Sequence, residues 1–432
     1  MIMRKYVNGT AIILALFVLV ALNAGPAAAQ AAQQTKQPSY TMPEYNAFQN
    51  CHTEKDPQIK VKCLDGFVAQ YPNSTLMEYV DQLYYQAYYQ LKNYAKTIEY
   101  ADKLVALGDK ANLGLRVQAV QARIQIFPFA FKPDAADAQT QLTKERDAAQ
   151  LAIKLLDEYK SSADSKLTDE QYKAGLALFY AAGGFANFQL KDNSAAVESF
   201  KAALKNNPND AVSEYRLGLA YLALTPPQSL DGFWALARSV SLQIPDAAKV
   251  KDYLRGRILA YEQPVCDSLV DAQLNELLQL AAGAQERPAS YSIPSATDLQ
   301  QIAQASTIVT LLNDLQGGGD KARKTWLALC GAEFPEVVGK IIDVNTADNA
   351  VTFHIFTSGD EKEMQNATTA NMEVKVPGQP DAARLAKNDP IRFSGTVVSY
   401  DAQPFLLHWD KAKVDPSIIP AKSGKSARRP GQ

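Results

Sequence analysis

The sequence predicts a mainly α protein: a solenoid of stacked two-helix repeats, then a helical capping block, then a small C-terminal five-stranded β-barrel. Three observations predict it. A helical hairpin pattern recurs with glycines at Gly184 and Gly218, one repeat period apart. Near Glu336 the apolar period changes from helical to alternating. At 432 residues, 47% of them hydrophobic and 21% charged, the chain can bury more than one core.

In chain order, Arg4 and Lys5 precede an apolar run over residues 11–22, and Gly25-Pro26 leads into Ala27-Ala28-Ala29. That is the pattern of a secretory signal peptide occupying residues 1–29. Cleavage after Ala29 is expected, which places the mature chain outside the cytosol, in a periplasm or a secreted setting, with no membrane span. The run is shorter than the ~20 residues that span hydrocarbon, and an uncleaved leader anchoring the chain is the alternative. Residues 30–43 are rich in Ala, Gln, Ser, Thr and Pro without an apolar period, and read as a flexible linker.

Export makes Cys51, Cys63, Cys266 and Cys330 candidates for disulfides, and four cysteines permit three complete pairings. We favour Cys51 with Cys63, across a helical turn near Asp56-Pro57, and Cys266 with Cys330, at the two ends of a long helical segment. In the chain-entropy account these closures contribute ~3 and ~4 kcal/mol. A metal site is disfavoured, since no Cys-x-x-Cys pair is present and only His52 lies beside a cysteine.

Residues 44–245 carry the repeats. A hairpin is expected over 45–71 and a second over 77–107. Helices over 111–126 and 135–159 are separated by an aromatic loop, 127–133, whose prolines are expected to forbid a continuous helix and whose rings are expected to form a packed plug. Two clearer units follow. The first reads Tyr180, Gly183, Gly184, Ala196, Phe200, Ala203 and Pro208; the second reads Leu217, Gly218, Tyr221, Leu230, Trp234 and Ala237. A small residue on one helix lets the next cross closely, and the alanine and aromatic fill that crossing. These residues resemble the tetratricopeptide repeat (TPR) family. Asn187 departs from the family's tyrosine, and Glu214 from its large apolar residue.

Residues 246–334 lose the repeat register but stay helical, over 250–261, 272–282, 297–315 and 321–329, and are expected to cap the array. Gly317-Gly318-Gly319 should end a helix. It is not read as a phosphate loop, because G-x-x-x-x-G-K-[ST] is absent.

Residues 335–414 read as strands over 337–344, 350–356, 372–376, 391–400 and 404–412, with a short helix over 381–386 before the fourth. That order, with Val338-Gly339-Lys340-Ile341 and Phe393-Ser394-Gly395-Thr396-Val397, resembles small bacterial OB-like domains. Residues 415–432, with Lys422, Lys425, Arg428 and Arg429, read as a disordered basic tail.

No catalytic, cofactor-binding or metal residues are assigned, and the expectation is a non-enzymatic protein. Only His52, His354 and His408 are available as bases, and none sits in a nucleophile context. His354 and His408 fall on the second and fifth strands and read as structural. Asp360, Glu361 and Glu363 read as a solvated loop. The 44 basic and 46 acidic residues nearly balance, so nucleic acid is an unlikely partner on charge. Binding of single strands or a small ligand by the barrel, through the rings of Phe353, Phe356, Phe393, Phe405 and Trp409, is the alternative function, although most of these rings are expected in the barrel core.

The TPR resemblance implies a groove lined by the first helix of each repeat, here carrying Tyr79, Gln82, Tyr89, Phe185, Phe188, Tyr215 and Leu222. Such a wall is aromatic and weakly charged. Ala181 and Phe185 stand where a carboxylate clamp needs polar groups, leaving Arg216 as the one comparable cation. The expected partner is a protein or peptide held by a few buried rings. The competing expectation is that the same rings pack between helices or lie under the 127–131 segment.

Overall fold

The computed structural model describes residues 39–264, 266–347 and 350–421. The expected leader, most of the linker and most of the basic tail lie outside them. Sixteen α-helices and five strands are described, so the chain is mainly α with a β-barrel at its end.

The first helix, α1 (Met42–Thr53), starts inside the stretch expected to be linker. Thr41 sets it: its side chain accepts from the Glu44 N–H, and the Glu44 carboxylate accepts from the Thr41 N–H. Asp56 starts α2 (Pro57–Gln70) by accepting from the N–H groups of Gln58 and Ile59. The Cys51–Cys63 disulfide ties the two, with Cα atoms 5.4 Å apart.

Eight helices continue the array: α3 (Met77–Gln90), α4 (Tyr94–Ala106), α5 (Leu113–Ala130), α6 (Ala138–Ser161), α7 (Asp169–Gln189), α8 (Asn193–Asn206), α9 (Ala211–Leu222) and α10 (Ser229–Ser241). Each packs on the next. In addition α5 lies against both α3 and α7, and α7 against α9, so the first helices of successive hairpins stand side by side.

The glycines make the closest crossings. A Cβ at Gly184 would meet the Phe200 ring at 2.7 Å; one at Gly218 would meet Leu236 at 2.7 Å and the Gly232 backbone oxygen at 2.9 Å. No side chain fits there. The two departures from the repeat pattern are also accounted for. Asn187 is buried and donates to Ser199 at 3.4 Å, while buried Glu214 accepts from Arg238 at 3.0 Å.

One expectation fails at Pro128. Helix α5 runs through it to Ala130, because a proline in the last turn removes only one internal donor and the helix still closes with Phe131 N–H donating to Phe127 O at 2.9 Å.

Buried charges tie the array together. Arg123 on α5 bonds Glu145 on α6 and lies 2.9 Å from Asp102 on α4. Burial pushes Glu145 up to about 7 even so, and Glu214 likewise. Arg238 on α10 donates to Ala284 O at 2.7 Å and Ala281 O at 3.2 Å. Those carbonyls end α12 (Ser268–Gly283) and begin the turn after it, where a helix leaves acceptors unsatisfied.

Chain contacts define two compact units, one running to Lys251 and including Leu278–Arg287, the other comprising Asp252–Leu277 and everything from Pro288. The boundary falls within α11 (Ala247–Glu262) and α12, so the block expected over 246–334 contributes to both.

In the second unit, α13 (Ala296–Ala305), α14 (Ile308–Gly317) and α15 (Gly319–Leu329) precede the strands. The single helix expected over 297–315 is two, because Thr307 and Thr310 form a capping box that starts α14. Cys266 and Cys330 are bonded, with Cα atoms 5.9 Å apart.

The strands β1 (Glu333–Ala347), β2 (Ala350–Phe356), β3 (Met372–Pro377), β4 (Pro390–Ala402) and β5 (Phe405–Val414) close in the order β1-β2-β3-β5-β4, with β3 and β5 parallel and β4 returning to β1. The short turn before β4, Pro380–Arg384, is 3-10. The polar loop after β2 holds a short helix, α16 (Glu361–Asn366), because Asp360 caps its start and Lys340 donates to Gln365 O and Ala367 O at its end. Phe353, Phe393 and Trp409 fill the barrel and share one apolar core with Leu311, Leu315 and Trp326 of α14 and α15.

Candidate functional site

The wall formed by α3, α5, α7 and α9 is the candidate site in the array. Its expected members divide into three groups. Tyr89 is 41% exposed and stands open. Tyr79, Gln82 and Phe188 are half-buried: Tyr79 leans on Phe48 with ring centres 6.2 Å apart, Gln82 donates to Gln118 at 3.4 Å, and Phe188 packs on the Phe200 cluster. Phe185, Tyr215 and Leu222 are buried.

Phe185 is covered by the chain itself. It shares a cluster with Phe127, Phe131 and Leu142, and the Phe131 ring meets it edge-on at 6.4 Å. The end of α5 therefore supplies the plug, with Phe129 left 44% exposed against Tyr94 at 5.5 Å. The Arg216 guanidinium also lies over it, 4.9 Å from the Phe185 ring centre. Phe185 is thus a packing residue, and the open part of the wall lies toward α3 and α5.

Three residues on this side of α5 were not singled out from the sequence: the half-buried Gln118 and Gln121 and the buried Gln125. Their spacing of three and four residues places them on one helix face, which was the available signal. It is weak in a sequence, because glutamine is common on any solvated helix.

The barrel carries a separate polar group on its outer face. Glu373 sits between the two strand histidines, 3.2 Å from His408 Nδ1 and 3.5 Å from His354 Nε2, and Asp401 approaches His408 Nε2 at 2.9 Å. The register explains this, since His354 pairs with Glu373 across β2 and β3, and Glu373 with His408 across β3 and β5. Among the described residues no cluster has the geometry to hold a metal ion. Both ring nitrogens of His408 face carboxylates, so this side chain fastens three neighbouring strands. Asp360 and Glu363 are engaged locally, in the α16 cap and with Ser358.

Among the barrel rings, Phe353, Phe393 and Trp409 are buried, and Phe356 and Phe405 are half-buried. No helix among the described residues is long and apolar enough to cross a membrane. No protein-family model and no curated protein matches the chain.

Proposed function

We propose that this protein is an exported, non-enzymatic scaffold of TPR-like hairpins that holds another polypeptide along the wall of its first helices. The observation that carries the reading is the side-by-side packing of α3, α5, α7 and α9, which makes a continuous surface with the exposed Tyr89 and the half-buried Gln82 and Gln118 at its open end. The two disulfides support an oxidising compartment, since such bonds persist outside the cytosol. A periplasmic or secreted location with a cleaved leader fits that chemistry.

The test uses the full-length protein in its native host, with a photo-crosslinking residue replacing Tyr89 or Gln118 on the wall, or Lys154 on a solvated face of α6. Covalent capture of one discrete polypeptide from the wall positions alone is the expected result. Equal capture from all three, or none, overturns the proposal.

A further inference from the structure

One arginine of the array has no counter-charge. Residues 44–245 contain five, and Arg116, Arg123, Arg146 and Arg238 each have a carboxylate oxygen within 3.5 Å. Arg216 has none among the described residues, and its guanidinium makes no hydrogen bond to them. It stands on α9 over the Phe185 ring of α7, 4.9 Å from the ring centre. The carboxylates near it in the chain are committed elsewhere. Asp210 caps α9, accepting from the Val212 N–H at 3.1 Å and from the Ser213 hydroxyl at 2.6 Å, and Glu214 accepts from Arg238 on α10. Arg216 is half-buried and keeps accessible surface, yet burial is the largest influence on it and pushes its pKa down. A charged group that solvent still reaches while protein atoms crowd around it lies in a recess. The ring beneath offsets part of that desolvation, and the guanidinium keeps a fork of donors free for a planar anion.

We infer that Arg216 receives an acidic side chain of the bound polypeptide, its guanidinium taking one Asp or Glu carboxylate in the recess above Phe185. This rests on the protein-binding reading above and adds the chemistry of one anchor. Charge complementarity selects the carboxylate, because the guanidinium is uncompensated and the side chains around it supply no anion. A chain terminus fits less well: Ala181 and Phe185, the matched positions on α7, have no polar side-chain atoms, so they offer nothing to hold the last amide beside a terminal carboxylate. An internal Asp or Glu among apolar residues matches a single guanidinium over a ring. Tyr89 stands on α3 and Arg216 on α9, the first and last helices of the wall, so the two contacts together set the direction in which a partner crosses it.

The experiment applies three pools of seven-residue peptides to the immobilised full-length protein, each randomised among uncharged residues except at its centre. The first pool has a central Glu and is N-acetylated and C-amidated; the second is blocked in the same way with a central Gln; the third has the central Gln and a free C-terminal carboxylate. Wild-type protein should retain the first about 10-fold more than the second, and the third no more than the second. Arg216→Met should abolish the preference at an unchanged melting temperature, and Arg216→Lys, which keeps the charge without the fork, should retain only part of it. Equal retention of the first two pools, or a preference that survives Arg216→Met, overturns the inference. Preference for the free-acid pool assigns Arg216 to a chain end and overturns it as well. The two readings fail separately: no Glu preference while Tyr89 still cross-links one polypeptide removes the anchor alone, and a Glu preference without that capture removes the scaffold and leaves the carboxylate site.

Discussion

The repeat array and the barrel unit solve the burial of polar groups in opposite ways. In the array, charged side chains run between helices: Arg123 joins α4, α5 and α6, and Arg238 joins α9, α10 and the end of α12. In the barrel, the interior is apolar and the ionisable group formed by His354, Glu373, His408 and Asp401 stays on the outer face. The reason is the backbone. Strands satisfy each other's N–H and C=O across the sheet and so hold together directly, whereas each helix satisfies its own and leaves all ties between helices to side chains. The array therefore depends on a few polar ties.

The largest expected effect breaks one of these. Arg123 is 4% exposed and Glu145 1%, so Arg123→Met strands a buried carboxyl and should cost the array about 3–5 kcal/mol. Hydrogen exchange in increasing urea should locate that loss in residues 77–161 and leave the barrel strands protected as before. An equal loss in both units would end the comparison.

Disulfide removal reverses the ranking of the units. The Cys266–Cys330 bond spans 64 residues and the Cys51–Cys63 bond 12, so paired Cys→Ala substitutions should cost about 4 and about 3 kcal/mol respectively. Calorimetry of the two variants checks the order.

A pH test sharpens the contrast within the second unit, whose α11 ends in Glu262, fully buried beside Gln273 and the Arg323 charge. Burial pushes this group up to about 7, above its value of about 4.3 in an unfolded chain. The folded state then binds the extra proton, so its contribution is complete at low pH and is lost as pH rises from about 4.5 to 7, by at most about 3 kcal/mol. Glu262→Gln should remove that slope and be the more stable protein at pH 7.5, as read by urea unfolding at pH 5 and 7.5. Parallel curves for variant and wild type would refute it.

The smallest effects compare two helical glycines. Gly218→Ala forces a Cβ into Leu236 and the Gly232 backbone and should destabilise by about 1–3 kcal/mol. Gly256→Ala, in α11 with open space around it, should stabilise by about 0.5–1 kcal/mol. Melting temperatures moving in opposite directions would support the close-crossing account.

Much of the architecture was legible. The helical and alternating periods located nearly every element, and the favoured cysteine pairing is the one formed. Three misjudged helix starts share a cause: the side chains of Thr41, Thr307 and Asp360 accept from backbone N–H groups of the first turn, which an apolar period does not register. The site was less legible. Phe185 and Gln125 both fall at wall positions, yet one lies under Phe131 and the other holds an unmatched amide.

By itself, then, the order of residues determined the class of each segment, its approximate limits and the close crossings at Gly184 and Gly218, because these follow from local periodicity and the absence of a side chain. Tertiary structure alone decided which wall residues stay open, which carboxyls are paired, and which amides are left without a partner. Those depend on atoms brought together from distant parts of the chain, and side-chain spacing along one helix does not encode what the neighbouring helix will cover.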